Sequence, residues 1–512
     1  MSVPKKKYIT TPIYYVNAKP HLGHTYTTML CDTLAKYYRF AGSDVFFLTG
    51  TDEHGDKIVK AASKEGKTPQ EYTDFISSLF RTTWDTLHIE YDDFIRTTED
   101  RHKKVVRQVL QIIYEKGDIY LADYEGLYCT GCERYLTEKE LNEKGECPDH
   151  LTKPELIQEK NYFFKLQKYL PKVKKHIEEN PDFISPDRYR NEALGAIEEL
   201  IKQGEDLSIS RPKARLTWGI ELPFDSSFVT YVWFDALLNY ISALGYPDNE
   251  LYTRFWPAHH FIAKDILKPH AIFWPAMLMA AEIPLYEKLS VHGYWLGWGD
   301  IKMSKSLGNA ADPLELTNKL GEDALRYFLA REMRFGSDAK FSEEIVITRL
   351  NTELSNEIGN LFQRTLSMIL KYANHLPKPQ SHDIEQKLNA ILQEVQTEYH
   401  KTMQKERTDL AIEQVLKVTG FLNKAIEEYK PWEMAKTNDE NLLPLLTTIF
   451  RGTLVCFAYL RPFLPNTWEK LTNLISFVQK EVFPKELSAI EWDTQNMEKP
   501  KPFFPRFTNE NH

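Results

Sequence analysis

The chain has 512 residues and a formal net charge of −9, so its overall charge is not that of a general nucleic-acid-binding protein, although a local basic surface is not excluded. This length exceeds what one hydrophobic core normally holds and predicts about three domains. We take 271–281 as the longest apolar run; it contains Pro275 and ends before Glu282, so we expect a buried segment, no membrane association and a cytoplasmic location. Five cysteines are too few for a disulfide scaffold in a chain this long.

The N-terminal residues predict a strand, a turn, a helix and a second strand. A β-favouring run over 8–16 leads into the turn His21-Leu22-Gly23-His24, followed by a helix-like pattern over 26–40 and a strand-like run over 44–48. The turn at the head of such a helix is a natural anion site, because its N–H groups and the helix dipole face outward. His21 and His24 can donate to phosphate oxygens there, and Gly23 lets a nucleotide approach the backbone.

A second candidate phosphate segment, Lys302-Met303-Ser304-Lys305-Ser306, lies far downstream between Gly299 and Gly308. This setting suits a loop that closes over a polyphosphate. Either segment alone is a weak signal, because histidine pairs and lysine-serine turns recur by chance and the latter are commonly solvated surface loops. Together they predict an ATP site in which Lys302 and Lys305 neutralise phosphate charge.

A metal motif lies between these two segments. Cys129, Cys132, Cys147 and His150 form the pattern C-x2-C-x14-C-x2-H. Three thiolates and one imidazole at these spacings suit tetrahedral zinc, with each of two turns presenting two ligands. All four positions are filled, which leaves no open position for catalysis, so we predict one structural zinc per chain. The alternative is a set of unrelated cysteines in a loop. Cys31 and Cys456 lie in helix-like patterns and are expected to be buried thiols.

The pattern of the remaining chain separates three kinds of structure. Residues 1–117 alternate between strand and helix signals, as in the first half of a nucleotide-binding α/β fold. From Asp118 short strands, turns and the cysteines indicate an inserted module, and strand patterning returns at 228–233. Beyond Ser342 apolar residues recur at helical spacing, which predicts a helical bundle.

The two phosphate motifs, in this order and context, resemble the signature pair of class I aminoacyl-tRNA synthetases. Further segments are similar to the methionyl-tRNA synthetase family, and the resemblance covers nearly the whole chain. These segments are 11–17, 49–55, 231–236 and 273–277. The resemblance implies ATP-dependent activation of L-methionine to methionyl-adenylate, with Mg²⁺ on the ATP, and transfer of the methionyl group to tRNA(Met), both initiator and elongator.

The resemblance also implies a methionine pocket with aromatic and apolar walls, because sulfur packs favourably on ring edges. Its lining is Ile13, Tyr15, Trp233, Ala236, Tyr240 and His270, with Asp52 facing the α-ammonium group and Arg211 a carboxylate. Taken singly, these aromatic residues are more commonly core residues and these charges more commonly surface ones. Their co-occurrence in matching motifs favours the pocket.

The helical bundle is expected to recognise single-stranded loop bases by aromatic stacking and by hydrogen bonds to base edges. Asn360 and Arg364 are four residues apart in a predicted helix and share a face, and Trp432 follows Pro431 at a helix boundary. The resemblance implies that these three residues read the methionine anticodon. The alternative is a polar helix face beside a packed tryptophan. We expect a monomer, and a C-terminal tail that folds back against the catalytic body.

The fold class predicted is therefore α/β: a Rossmann-like parallel-sheet catalytic domain, an inserted connective domain with a zinc knuckle, and an all-α anticodon-binding bundle. The predicted ranges are 1–117 and 227–282 for the two catalytic halves, 118–226 for the insertion, 283–341 for the lysine-loop segment, 342–498 for the bundle and 499–512 for the tail.

Three rival interpretations remain. Another class I synthetase, for cysteine, leucine, isoleucine or valine, would share both phosphate motifs, but the branched-chain enzymes carry large editing insertions. A non-catalytic tRNA-associated relative predicts damaged phosphate motifs, and both are intact here. A minimal nucleotidyltransferase would share the first motif but lack the bundle.

Overall fold

A computed structural model describes residues 3–129, 134–136, 140–148, 151–297 and 311–507. Within these ranges a parallel α/β unit and an antiparallel module are followed by a region made largely of helices. This confirms the predicted α/β class with a helical C-terminal region.

The strands belong to one large parallel sheet and several small sheets. In chain order they are β1 (Lys6–Thr10), β2 (Tyr14–Tyr15), β3 (Asp44–Asp52), β4 (Asp93–Arg96), β5 (Ile119–Cys129), β6 (Arg134–Leu136), β7 (Glu155–Phe164), β8 (Ile184–Ser185), β9 (Leu207–Ser208), β10 (Ser210–Pro212), β11 (Glu221–Leu222), β12 (Asp225–Thr230), β13 (His259–Ala263), β14 (Lys288–His292), β15 (Trp295–Leu296), β16 (Ala339–Lys340), β17 (Val478–Gln479) and β18 (Ile490–Glu491).

The helices flank the parallel sheet and then form the C-terminal bundle. They are α1 (Leu22–Phe40), α2 (Asp56–Lys64), α3 (Pro69–Thr86), α4 (Asp100–Glu115), α5 (Leu166–Glu179), α6 (Asp187–Gln203), α7 (Val232–Ala236), α8 (Asn239–Ser242), α9 (Glu250–Phe255), α10 (Trp274–Ala280), α11 (Pro313–Leu320), α12 (Glu322–Glu332), α13 (Glu343–Arg349), α14 (Asn360–Ala373), α15 (Ile384–Met403), α16 (Thr408–Tyr429), α17 (Pro431–Lys436), α18 (Leu442–Leu460) and α19 (Pro465–Leu474). π-helical turns cover Pro269–Phe273 and Leu350–Gly359, and 3₁₀ turns cover Lys264–Ile266 and Leu487–Ala489.

The central sheet is parallel throughout its pairings. β1 lies between β3 and β13, β13 pairs with β14, and β14 pairs with β8, while β2 and β4 both pair with β3. β3 is buried along nearly its whole length, as expected for a parallel strand covered on both faces. In such open sheets ligands bind beyond the carboxyl ends of the strands, which here lead to the turn at His21, to Asp52 and to His292.

Two strands of this sheet lie outside the ranges predicted for the catalytic halves. β8 lies within 118–226, the range predicted as an insertion, and β14 lies within 283–341. β8 has two residues, too short for an alternating pattern to identify it, whereas the five residues of β14 do alternate between polar and apolar and were assigned to the lysine-loop segment. The insertion is therefore not separate from the central sheet, because part of it supplies an edge strand.

An antiparallel module follows α4. β5 pairs with β6 and along its length with β7, which also pairs with β9. A second antiparallel sheet has the order β10-β12-β11 and leads directly into α7. Both sheets contact the aromatic residues at α7: Arg211 of β10 lies over the Tyr231 ring, and Phe164 of β7 packs edge-on against Phe234.

The C-terminal helices pack around a continuous apolar core. The face predicted from helical spacing is buried, and its members are Leu350, Leu354, Ile358, Leu361, Phe362, Leu366 and Ile369. Among the described helices, α18 alone has the length and apolar composition that could cross a bilayer, and it is longer than the run over 271–281 on which the expectation of no membrane association was based. Nearly all of α18 is buried against other helices, and a core helix of a folded bundle has the same composition.

Residues 499–507 of the tail lie against the first bundle helices. Asn351 exchanges two hydrogen bonds with the backbone of Phe507, at 2.8 and 2.9 Å, and the rings of Phe503 and Phe362 stack with centroids 5.0 Å apart. The resemblance predicted contacts with the catalytic body, whereas these contacts are made with the start of the predicted bundle.

Candidate functional site

The N-terminus of α1 is capped by the side chain of His21. His21 has extended backbone angles, and its Nδ1 accepts hydrogen bonds from the amides of Gly23 at 3.1 Å and His24 at 3.4 Å. The helix therefore begins at Leu22, earlier than the helix pattern predicted. The sequence predicted that the first amides of the helix face an anion, whereas the amides of Gly23 and His24 donate to His21. Because Nδ1 is the acceptor, a neutral His21 carries its proton on Nε2, which can donate to a phosphate oxygen.

His24 is fixed by rings on both sides. Its ring stacks on that of His21 with centroids 3.6 Å apart and lies 4.7 Å from that of Tyr14. Tyr14 is held in turn by a 2.6 Å hydrogen bond between its hydroxyl and that of Thr28, and by stacking on Phe80. The structure thus brings together the two histidines predicted from the sequence.

Lys302 and Lys305 lie outside the described residues, but both flanks of their segment are described. On one side, the Trp295 ring packs edge-on against Tyr26, and His292 Nε2 lies 2.8 Å from the hydroxyl of Thr27 in α1. On the other side, Ala311 and Asp312 line a cavity of about 430 Å³ whose lining also includes residues 17–20. Both flanks therefore lie beside the part of the chain that carries His21 and His24.

A buried tyrosine–histidine pair lies in the predicted methionine pocket. His270 is in the π-helical turn, and its Nδ1 donates to the carbonyl of Ile266 at 2.9 Å, because a carbonyl can only accept. Its Nε2 consequently accepts from the Tyr240 hydroxyl at 2.7 Å. Burial lowers the pKa of His270 to about 4, so the imidazole is neutral near pH 7. The Trp233 ring lies edge-on 6.3 Å from His270.

The two charged residues predicted for the methionine pocket, Asp52 and Arg211, lie on strands of different sheets. Asp52 ends β3, is 5% exposed and is in register with Tyr15 of β2. Arg211 in β10 is buried and donates through Nη1 to the Ser208 hydroxyl and the Ser210 carbonyl. Its guanidinium lies 4.2 Å from the ring centroid of Tyr231, which caps α7.

The other predicted pocket residues occupy neighbouring positions. Ala236 is buried at the end of α7, and Ile13 packs on the same core cluster as Trp233. The structure thus places Tyr240 in the buried cluster on which Ile13 and Trp233 pack, with His270 hydrogen-bonded to Tyr240.

A buried carboxylate that sequence reasoning missed connects the pocket elements. Asp235 accepts from His54 Nδ1 at 2.6 Å and lies 2.7 Å from His102 Nε2, whose other nitrogen lies 2.8 Å from the Ser242 hydroxyl. These histidines lower the pKa of Asp235 to about 2, against the opposing effect of its burial. The network connects α7 to His54, which follows Asp52 and Glu53 in the chain, and to His102 in α4. Its members come from distant segments, so no local pattern identifies it.

Several buried histidines predict a pH-dependent stability. Burial lowers the pKa of His270 and His292 to about 4 and holds those of His259 and His260 well below their ordinary value. An unfolded histidine titrates near pH 6.5, so below that pH the unfolded chain binds protons that the folded chain does not. The free energy of unfolding should therefore fall as the pH drops from about 6.5 toward 4, by about 1.4 kcal/mol per pH unit for each such histidine.

Urea unfolding at pH 7 and at pH 5 measures this dependence. His270→Asn should reduce the difference in the free energy of unfolding between pH 7 and pH 5 by the contribution of one buried histidine. The matched control is His88→Asn, because His88 is exposed. A wild-type stability that is equal at both pH values would contradict the prediction.

The predicted anticodon residues meet at one surface of the bundle. Asn360 and Arg364 lie in the first turns of α14, Trp432 follows Pro431 at the start of α17, and the Arg364 guanidinium lies 5.3 Å from the Trp432 ring centroid. Trp432 is 36% exposed, so it is not a packed core residue. A cavity of about 450 Å³ opens here, lined by Asn360, Gln363, Arg364, Ser367, Met368, Lys371, Tyr372, Trp432 and Lys499.

Two of the four predicted zinc ligands are described. Cys129 at the end of β5 and Cys147 are both buried and share a small cluster with Leu136, whereas Cys132 and His150 lie outside the described residues. Within the described ranges no three metal-binding side chains cluster. Two buried thiols brought together from separate turns are compatible with half of the predicted donor set. Cys31 and Cys456 are buried within α1 and α18, as predicted.

The chain is similar to members of one family of known proteins. A family model described as tRNA synthetases class I (M) matches residues 7–154 and 150–366. The chain is 45% identical over 485 residues to a methionine–tRNA ligase of Caldanaerobacter subterraneus subsp. tengcongensis, covering 93% of this chain and 74% of that protein. It is 46% identical over 475 residues to the Deinococcus radiodurans methionine–tRNA ligase, covering 91% and 69%.

Among solved structures, a Mycobacterium tuberculosis methionyl-tRNA synthetase in complex with methionyl-adenylate superposes with a TM-score of 0.91 at 36% identity. The superposition covers 98% of this chain and all of that one.

Proposed function

Since the chain belongs to the methionyl-tRNA synthetase family of class I enzymes, we propose a role in the two steps of that reaction for each predicted site residue. The chain is a methionine–tRNA ligase: it activates methionine with ATP and charges tRNA. The observation that carries the assignment of the ATP site is the position of both flanks of the lysine segment beside the turn of His21 and His24.

In the first step the methionine carboxylate attacks the α-phosphorus of ATP. A carboxylate oxygen–phosphorus bond forms and the bond to the β-phosphate oxygen breaks, so pyrophosphate leaves with its Mg²⁺. Such transfers depend on positioning and charge stabilisation rather than on a protein nucleophile. His21 and His24 would donate to ATP phosphates, Gly23 would allow close approach, and Lys302 and Lys305 would neutralise the departing pyrophosphate.

The methionine zwitterion would lie between the charged and the aromatic residues of the pocket. Asp52 would bind the α-ammonium group and Arg211 a carboxylate. The thioether would pack against side chains that carry little charge, since His270 is neutral and satisfied by Tyr240. These side chains are Ile13, Tyr15, Trp233, Ala236, Tyr240 and His270.

In the second step a terminal ribose hydroxyl of tRNA(Met) attacks the adenylate carbonyl, and AMP leaves. Initiator and elongator tRNA share the methionine anticodon, so one recognition surface serves both. Asn360, Arg364 and Trp432 would read that anticodon, with the exposed Trp432 ring as a stacking platform and the amide and guanidinium as donors to base edges.

We also propose one structural zinc, held by Cys129, Cys132, Cys147 and His150. A closed site of this kind stabilises a small module by joining its two turns and takes no part in catalysis. The burial of Cys129 and Cys147 in one cluster supports it.

Elemental analysis should find about one zinc per chain in protein purified without chelators. Cys147→Ser should lose most of that zinc because it removes one of four ligands, whereas Cys456→Ser changes a buried thiol in α18 and should retain it. Zinc-free wild-type protein would contradict the proposal.

We further propose that the enzyme is a cytoplasmic monomer. Light scattering of the purified chain together with its tRNA measures the oligomeric state, and a dimeric mass would contradict this.

Methionine-dependent ATP–pyrophosphate exchange, followed by charging of both tRNA(Met) species, tests the function directly. Cysteine, leucine, isoleucine and valine serve as comparison substrates, because each is the substrate of a rival class I enzyme. Faster exchange with any of these than with methionine would overturn the assignment.

A further inference from the structure

The cavity beside Trp432 is built from two parts of the chain that are far apart in sequence. Most of its lining comes from α14 and α17, but Lys499 comes from the C-terminal tail. We propose that Lys499 is a further tRNA-binding residue that contacts a phosphate of the anticodon loop at this cavity. This inference rests on the proposed anticodon-reading role of Asn360, Arg364 and Trp432.

The tail is attached to α14 immediately beside Lys499. Gln363, whose side chain also lines the cavity, donates through Nε2 to the carbonyl of Pro500 at 2.9 Å. Farther along, Ser355 donates to the carbonyl of Pro505 at 3.1 Å, and Phe504 is buried against Gly359. Lys499 is therefore held at a fixed place relative to the helix face that presents Asn360 and Arg364.

The charges around the cavity indicate what Lys499 would bind. Arg364 lies over the Trp432 ring, and its Nη1 is 3.3 Å from a carboxylate oxygen of Glu427, so part of its charge is already balanced. Lys371 and Lys499 are the remaining cations of the lining. A base stacked on Trp432 brings its own phosphate with it, and that anion needs a cation at the edge of the cavity.

Phosphate contacts of this type position a nucleic acid without reading its sequence. Lys499 is thus expected to contribute to affinity for the loop, while the base-reading residues contribute to selectivity. Its contribution should depend on salt, because binding a phosphate releases condensed counterions, with a slope of about 0.7 per contact for a single strand.

The test compares two lysines of the same tail. Binding of an unmodified tRNA(Met) transcript is measured over a range of salt concentrations for wild type, Lys499→Ala and Lys501→Ala, of which Lys501 is exposed and not part of the cavity lining. Lys499→Ala should reduce the slope of log affinity against log salt by about 0.7, which corresponds to about fivefold weaker binding at 0.1 M salt. Lys501→Ala should match wild type, and methionine-dependent pyrophosphate exchange should be unchanged in both.

Two further results separate this proposal from the function it rests on. If Lys499→Ala behaves like Lys501→Ala while Trp432→Ala still impairs charging, the role of Lys499 is overturned and the anticodon assignment stands. If Trp432→Ala leaves charging intact, the anticodon assignment and the role of Lys499 are both overturned. A transcript with an altered anticodon should lose the same factor on Lys499→Ala, and a larger loss for one anticodon would overturn phosphate binding in favour of base reading.

Discussion

Replacing Lys305 by alanine is expected to lower methionine-dependent ATP–pyrophosphate exchange by about 10²–10³-fold, the usual cost of removing one well-placed donor from a developing charge. The pyrophosphate gains negative charge as it leaves, and Lys305 would stabilise that charge only as the bond breaks. Methionine binding should be retained, because the methionine pocket is formed by other residues, such as Tyr240 and His270. Exchange kinetics and equilibrium dialysis with methionine measure the two effects separately.

The matched control is Lys202→Ala, since Lys202 is an exposed lysine near the end of α6. It changes the net charge of the chain equally but leaves the lysine segment intact. Exchange by Lys305→Ala at the rate of Lys202→Ala would remove Lys305 from the reaction. A parallel loss of methionine binding would mean that the substitution acts on the pocket rather than on the phosphates.

Local patterns predicted the elements of the site better than their boundaries. The strand–turn–helix unit around His21 was correctly predicted, but the helix begins at Leu22 because the His21 imidazole caps its first amides. A capping side chain of this type has no periodic signal. In the same way, β8 is too short to predict, although it forms an edge of the central sheet.

Contacts between segments that are distant in the chain could not be predicted from the sequence. The carboxylate of Asp235 joins His54 and His102, which are separated from it by 181 and 133 positions. Asp235 lies in the pocket motif, two positions after Trp233 and next to Ala236, yet nothing in that motif indicates which side chains contact it. By contrast, the apolar face of the bundle follows from helical spacing alone, because each of its residues is defined by its neighbours along one helix.

Replacing Trp432 by alanine is expected to impair tRNA charging while sparing adenylate formation. Stacking of a base on an aromatic ring is worth about 1–3 kcal/mol, so kcat/KM for tRNA(Met) should fall by about 5- to 150-fold. Pyrophosphate exchange should be unchanged, because the Trp432 ring is on the bundle surface and its loss leaves no cavity in the core. Charging kinetics at fixed methionine and ATP, beside exchange without tRNA, give both values.

Tyr429→Ala is the matched control. Tyr429 is also an exposed aromatic residue, 38% exposed and three positions earlier, but its ring packs edge-on against His382 instead of lining the cavity. A general disturbance of α16 and α17 would affect both variants equally, whereas loss of a stacking platform affects Trp432→Ala alone. Equal loss of exchange and charging in Trp432→Ala would identify the ring as a packing element, and the bundle surface would then have to bind the anticodon through Asn360 and Arg364 without it.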